Sequence, residues 1–306
     1  MRWHDLERLV ILLYLAPVAW FMPARCWLPA CERSARLVAR LIPALAKAWA
    51  RSESPVGLLE LGMSTSEAAI RAKGRHWFSF VVFLGEHRPW GWRPRIDVLG
   101  RVHLDAAIEQ GAGAILWVVA MGPSALIVKR GLAEAGYRVA HLSRLGHGLG
   151  VTNSRLGLLL NRIQTSVESR YLLERVVMRG SPTAALRSLR RHLEANHVVS
   201  ITALRTAIRT VEVPFLGGSI LVAAGPPELA RAVGSPLLPV FTLQTGPTSF
   251  EVLVGAPLDL GGPGGDPAQA AARQLAELLD PLVRADPFRW WSWAKNLVPM
   301  HGEPRE

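Results

Sequence analysis

The stretch that most restricts the possible folds is residues 114–142. An unbroken apolar run, AILWVVA (114–120), precedes a helical stretch at 124–135, then Gly136 and the β-like YRVAHL (137–142). A buried strand, a helix and a second strand form a unit that demands a sheet covered by helices. Residues 182–196 carry Leu186, Leu189 and Leu193 at helical spacing and lead into the apolar run 198–203, which predicts a second such unit. Further strands are expected at 237–243 and 250–254, after a short helix opening at Pro226 and Pro227 and closing at Gly234. The glycine-rich 261–265 is a break, after which Asp266, Pro267 and Gln269 predict an N-cap, a first-turn proline and a capping-box partner for a last helix reaching about residue 284. The expected fold is α/β: a central mixed sheet flanked by helices, behind a helical N-terminal segment that associates with membrane.

That segment is assigned to residues 1–55, and the α/β domain to 56–306. Residues 9–22 are fourteen positions without a charge, fewer than the roughly twenty needed to span a bilayer core. No convincing small-x-small cleavage site follows Met22. In residues 31–50, Leu37, Leu41, Leu45 and Trp49 stand four apart, with Arg33, Arg36, Arg40 and Lys47 on other faces. This is the pattern of a basic amphipathic helix lying in an interface, and a true span or a buried hairpin are the alternatives. Residues 58–83 look helical and end near Gly85, before a turn at 89–94 and a linker.

With half of its 306 residues hydrophobic and 19% charged, the chain does not have the composition of a disordered protein. Its formal net charge of +11, carried by 31 arginines and 4 lysines, points to an anionic partner. The planar guanidinium suits phosphate, while an arginine bias equally reflects base composition. The arginines are scattered through apolar segments, without zinc-finger spacing, an RNA-recognition signature or a basic heptad region, so nucleic acid is not the expected partner. A phospholipid or membrane surface fits better. Eleven tryptophans agree, since indoles favour the headgroup zone, although a buried core is their commoner place. Cys26 and Cys31 make neither a disulfide framework nor a metal spacing, and a reducing compartment is expected.

Common catalytic signatures are absent: there is no Gly-x-Ser-x-Gly elbow, phosphate loop or dinucleotide fingerprint, and neither a metal nor a cofactor is expected. His192 and His197, five apart, would point about 140° away from each other on one helix and read as two surface histidines. His141 and His147 flank a glycine-bearing turn, but nothing in the sequence fixes them in a common site, and their nearness reads as coincidence.

The order of several segments resembles the bacterial lipid A late acyltransferases of the lysophospholipid acyltransferase superfamily. Residues 114–130, AILWVVAMGPSALIVKR, look like that family's strand-to-helix junction, where the motif reads roughly His-Phe-Gly-Pro/Asn-Trp-Glu. Residues 153–163, NSRLGLLLNRI, are similar to its Asn-Pro-x-Leu-x-x-Leu segment. The stretch 213–241 resembles its long signature of a phenylalanine- and glycine-bearing turn, a Gly-Pro helix start and a proline-bearing strand, and PFRWWSW (287–293) its tryptophan-rich ending.

In that family a histidine deprotonates an acceptor hydroxyl, which attacks an acyl thioester, and an acid five residues on orients the imidazole. Carried over by position, the histidine falls on Ala120 and the glutamate on Ala125, and a third polar position, an aspartate, falls on residues 202–204 and is also lost. The resemblance therefore implies a framework without its proton-handling pair: lost or much reduced acyl transfer, with a lipid-binding, acyl-chain-binding or accessory role. The alternative is an active acyltransferase with a non-standard base such as His141 or His147. A search for a histidine with an acid five residues on finds only His301 and Glu306, in the C-terminal tail. Ser124 lacks an activating base nearby in sequence and reads as a helix cap. Candidate ligand-binding residues are Met121, Gly122, Pro123, Ser124, Arg144, Asn153, Arg162, Arg205 and Gly225, with Arg209 beside them. The implied partners are a phospholipid or lipid A-like lipid, the cytoplasmic face of a bacterial inner membrane, and acyl carrier protein or acyl-CoA. An acidic carrier is one that the positive balance would attract.

Overall fold

The computed structural model describes residues 3–51, 55–119, 121–144, 146–149, 154–178, 182–204, 209–290 and 297–298. It begins with five helices: α1 (Trp3–Phe21), α2 (Trp27–Leu41), α3 (Pro43–Ala50), α4 (Pro55–Glu60) and α5 (Thr65–Gly85). The amphipathic helix expected over 31–50 starts earlier and is cut in two. Ile42 adopts φ −129° and ψ 75°, because the ring of Pro43 drives its predecessor out of the helical region. The helix expected over 58–83 is also two helices. Gly62, at φ 64°, reverses the chain, and Ser64 caps α5 by accepting from the Glu67 amide at 3.2 Å.

Helix α5 is the spine of this region, buried from Trp77 to Leu84 apart from Ser79. Two glycines bring α2 against it. A Cβ on Gly74 would stand 2.8 Å from the Glu32 Cα, and one on Gly85 2.4 Å from the Trp27 ring. Leu12, Leu15 and Ala19 of α1 and Trp27, Cys31 and Ala35 of α2 belong to the same apolar core as Leu116 and Val118 of the sheet. The Arg88 guanidinium donates to the Ala19 and Met22 carbonyls, capping the C-terminal end of α1. The outer face stays apolar and open: Val10, Leu13, Tyr14 and Phe21 on α1, then Leu37, Leu41, Ile42 and Leu45. Among the described residues, no helix is long and apolar enough to cross a membrane.

The remainder alternates strand and helix. In chain order these are β1 (Arg95–Leu99), α6 (Arg101–Glu109), β2 (Ala114–Val118), α7 (Ser124–Glu134), β3 (Val139–Arg144), α8 (Arg155–Glu168), β4 (Glu174–Met178), α9 (Pro182–Glu194) and β5 (Val198–Thr202). Then come β6 (Thr210–Phe215), β7 (Gly218–Ala223), α10 (Gly225–Val233), β8 (Leu237–Gln244), β9 (Ser249–Val254), α11 (Pro267–Ala285) and β10 (Leu297–Val298). Seven strands form a mixed sheet in the order β1-β9-β8-β2-β5-β3-β4, with β8 and β9 antiparallel and the other neighbours parallel. A second sheet, β10-β7-β6, is antiparallel.

The two faces of β2 supply two cores, as strand alternation requires. Leu116 and Val118 face α7 and the N-terminal helices, whereas Ile115 and Trp117 face α9 and α11.

Several expectations need correction. The linker expected after the turn at 89–94 contains β1 and α6, and strands β4, β6, β7 and β10 are additional. The β6–β7 turn is built on Leu216 and Gly217, both at positive φ (46° and 70°), as a type I′ hairpin turn requires. Asp266 caps α11 by accepting from the Ala268 and Gln269 amides, but the Gln269 side chain turns to the Glu212 carbonyl instead of closing a capping box. The cap position of α7 is Pro123, and Ser124 is the first helical residue. His192 and His197 do not diverge. Helix α9 stops at Glu194, Asn196 turns the chain at φ 57°, and the two Nδ1 atoms stand 3.2 Å apart.

Candidate functional site

The parallel strands β3 and β5 end side by side, and a cavity of about 850 Å³ opens at their C-terminal ends, where α/β sheets usually hold ligands. Its walls are largely apolar, with Met178, Ala185, Leu186, Ile201, Leu204 and Leu229 among them. The N-terminal turn of α10 closes one side through Gly225 and Pro226, and Arg144 and Arg209 bring positive charge. Pairing of Val118 with Thr202, and the bond from the Ala203 amide to the Val118 carbonyl (2.9 Å), set the end of β2 beside this wall.

A histidine held by a carboxylate lines the same cavity. His147 sits in the turn after β3, half-buried, with Nε2 3.0 and 3.1 Å from the two oxygens of Glu168 on α8. The loop reaches α8 because residue 148 is glycine: at φ 144° a Cβ would lie 2.4 Å from the Asn161 side-chain oxygen and 2.6 Å from its Cα. Glu168 is wholly buried, and it also accepts from Lys129 Nζ of α7 and from the Gln164 amide (2.5 Å). Burial favours a neutral carboxyl here, but the Lys129 charge and the His147 contacts together outweigh it and hold Glu168 well below the usual carboxylate range. Burial pushes the Lys129 ammonium below its ordinary value, and Glu168 opposes that shift.

Two groups face His147 Nε2: the Glu168 carboxylate, which only accepts, and the Gln164 amide nitrogen at 3.1 Å, which only donates; with the ring proton on Nε2 toward Glu168, the Nδ1 lone pair is the basic site. Among the described residues, no hydrogen bond reaches that Nδ1. His141 lies 6.4 Å away, ring centre to ring centre, and bonds Ser200 Oγ at 2.8 Å. Burial, and after it the Lys129 charge, lowers the His141 pKa well below its ordinary value, so this ring stays neutral. Ser200 is buried and is not part of the cavity wall, which leaves it without access as a nucleophile.

The candidate residues named from sequence separate into groups. Arg144, Gly225 and Arg209 line the cavity, although Arg209 is paired with Glu228 and Asp266. Met121, Gly122 and Pro123 line a different, small void with Arg75, Phe78 and Thr242. Arg162 is exposed on α8, outside the cavity wall, and Ala125 is half-buried against the α7-side core. Ala120, Asn153, Arg205, His301 and Glu306 lie outside the described residues, as does the Ser124 side chain. Among the described residues, no cluster of three or more potential ligands could hold a metal ion. His141 and His147, whose proximity read as coincidence, share one cavity wall. Glu168, Lys129 and Gln164 went unread in the sequence. The available signal was a polar row, Asn161, Gln164 and Glu168, on the helical face that also carries Leu160 and Val167.

A comparison with curated proteins finds no match. A comparison with protein families matches residues 89–297 to the bacterial lipid A biosynthesis acyltransferases. This match takes in the whole seven-stranded sheet and the cavity at its edge, over more than half of the sequence, and the chain belongs to that family.

Proposed function

We propose that the protein takes up the acyl chain of a lipid or acyl thioester in the cavity at the ends of β3 and β5, while docked on a membrane surface. The observation that carries this reading is the cavity itself, large, apolar-walled and edged by Arg144. Apolar walls suit a hydrocarbon tail, and the guanidinium suits the phosphate of a lipid headgroup or of an acyl carrier. The family supports a lipid-type acceptor and an acyl donor, and we read the donor as acyl carrier protein or acyl-CoA. The apolar outer face of α1, α2 and α3, flanked by Arg33, Arg36, Arg40 and Lys47, supports docking on an anionic surface, read as the cytoplasmic face of a bacterial inner membrane. With the family motif carried over by position, Ala120 and Ala125 stand where its histidine and glutamate would, so this reading routes no proton transfer through that pair.

Binding tests this directly. Full-length protein is expected to bind lauroyl-coenzyme A, and Ala185→Trp, which fills the cavity from α9, to weaken binding at least about tenfold, or 1.4 kcal/mol. No binding by the wild type, or equal binding by Ala185→Trp, overturns the reading.

A further inference from the structure

We propose that His147 is the proton acceptor of an acyl-transfer step in this cavity and that Glu168 is its positioning residue, a pair formed from the loop after β3 and helix α8. The proposal rests on the acyl-lipid reading above. Four features of the structure carry it. The His147 ring lines the largely apolar cavity in which the acyl chain is read to sit. Its Nε2 faces both oxygens of one carboxylate, and with the ring proton held there Nδ1 is the base. That carboxylate is fixed in turn by Lys129 and Gln164, so the imidazole is oriented by a group that has little freedom to move. Finally, Gly148 allows the turn to lie directly on α8, as no side chain at that φ would.

The family's motif keeps its histidine and acid on one strand-to-helix corner, five residues apart. Here base and orienter come from separate elements, 21 residues apart in the chain. The chemical logic of base and orienter is retained with new members.

An acceptor hydroxyl gives its proton to His147 Nδ1 while its oxygen forms a bond to the carbonyl carbon of an acyl thioester. The carbonyl π pair moves onto oxygen, giving a tetrahedral oxyanion. Its collapse restores the carbonyl and breaks the carbon–sulfur bond, and the departing thiolate takes the proton from Nδ1. The products are an ester and a free thiol, and His147 is neutral again. Glu168 stays ionised throughout and compensates the imidazolium while it exists.

Thiol release from lauroyl-coenzyme A, with a lysophospholipid as acceptor, reads carbon–sulfur cleavage whether the lipid hydroxyl or water takes the acyl group. Wild-type protein is expected to release thiol above the uncatalysed rate. His147→Gln retains an amide donor for Glu168 and is expected to lose at least about 100-fold in rate, with lauroyl-coenzyme A binding unchanged. His192→Gln, at the far end of α9, should behave as wild type. Glu168→Gln is paired with Lys129→Met so that no lone ammonium is buried, and this double variant should lower kcat at least about tenfold with KM unchanged. The proposal is overturned if His147→Gln releases thiol at the wild-type rate, or if wild-type protein binds lauroyl-coenzyme A yet releases no thiol above background. Failure of the wild type to bind lauroyl-coenzyme A overturns the acyl-lipid reading instead.

Discussion

Deleting the ammonium of Lys129 is the sharpest test of the electrostatics that hold His147 in place. Lys129→Met keeps an apolar stem of similar reach and leaves the buried Glu168 carboxylate, among the described residues, with only His147 and Gln164 as donors. Removing one partner of a buried ion pair costs about 3–5 kcal/mol, because the other charge is stranded out of water. Two donors remain on Glu168, so the lower figure applies: about 3 kcal/mol, or a fall in Tm of about 6–12 °C. Glu168→Gln is the harsher change. Lys129 bonds only to Glu168 among the described residues, and stranding it should cost nearer 5 kcal/mol. Together the two substitutions remove both charges, and their combined cost should fall below the sum of the single costs by at least about 2 kcal/mol. Urea unfolding of the three variants, with m-values checked for constancy, supplies these numbers. Single costs below about 1 kcal/mol, or costs that add within about 0.5 kcal/mol, would refute the reasoning. The pH dependence has a definite sign. The Glu168 pKa is lowered in the fold, so its contribution is complete above the unfolded carboxyl value of about 4.3 and is lost as pH falls toward the folded value. Glu168→Gln should therefore flatten the acid limb of the stability curve.

Three further outcomes follow from the packing. Gly148→Ala combines about 1–3 kcal/mol of backbone strain with a clash against Asn161, and urea unfolding should show a loss of at least about 2 kcal/mol. A neutral result would mean that the loop does not rest on α8 as described. Leu216→Gly relieves about 1–2 kcal/mol of left-handed strain but empties a buried core position worth about 2–5 kcal/mol, so burial wins and the variant should be less stable than wild type. A stabilised variant would reverse that ordering. Phe21→Glu and Leu41→Glu each remove an apolar side chain from the exposed N-terminal face and add a negative charge, and should weaken sedimentation with anionic phospholipid vesicles by at least about tenfold, from about 1.5–3 kcal/mol of lost burial. Unchanged sedimentation would remove that face from the docking surface.

The central strands were legible because their neighbours bury them on both sides, and runs such as 114–118 and 198–201 are apolar at every position or nearly so. The edge strand β1 hid its identity by placing Arg95 and Asp97 at alternate positions, a pattern that burial on one side permits and that reads as linker. The β6–β7 hairpin lacked its usual signal, since the first of its two positive-φ positions is Leu216 instead of asparagine, aspartate or glycine. The break before α3 was written at Pro43, but the regular leucine spacing on either side concealed it. At the site, a search confined to one fixed spacing could reach only His301 with Glu306. The His147 and Glu168 partnership depends on a loop folding back onto a helix, and no local periodicity encodes that. The two histidines of the α9 region were misjudged for a related reason. The 140° separation holds only on a continuous helix, and the chain leaves α9 before His197.

Acyl transfer at His147 requires an acyl chain in the cavity at the ends of β3 and β5. Photocrosslinking with a diazirine-bearing fatty acyl-coenzyme A, followed by peptide mass spectrometry, tests it most directly. Adducts on Met178, Leu186, Leu204 or Leu229, suppressed in Ala185→Trp, are the predicted result. Adducts confined to the exposed faces of α1, α2 and α3, and unaffected by Ala185→Trp, would contradict it.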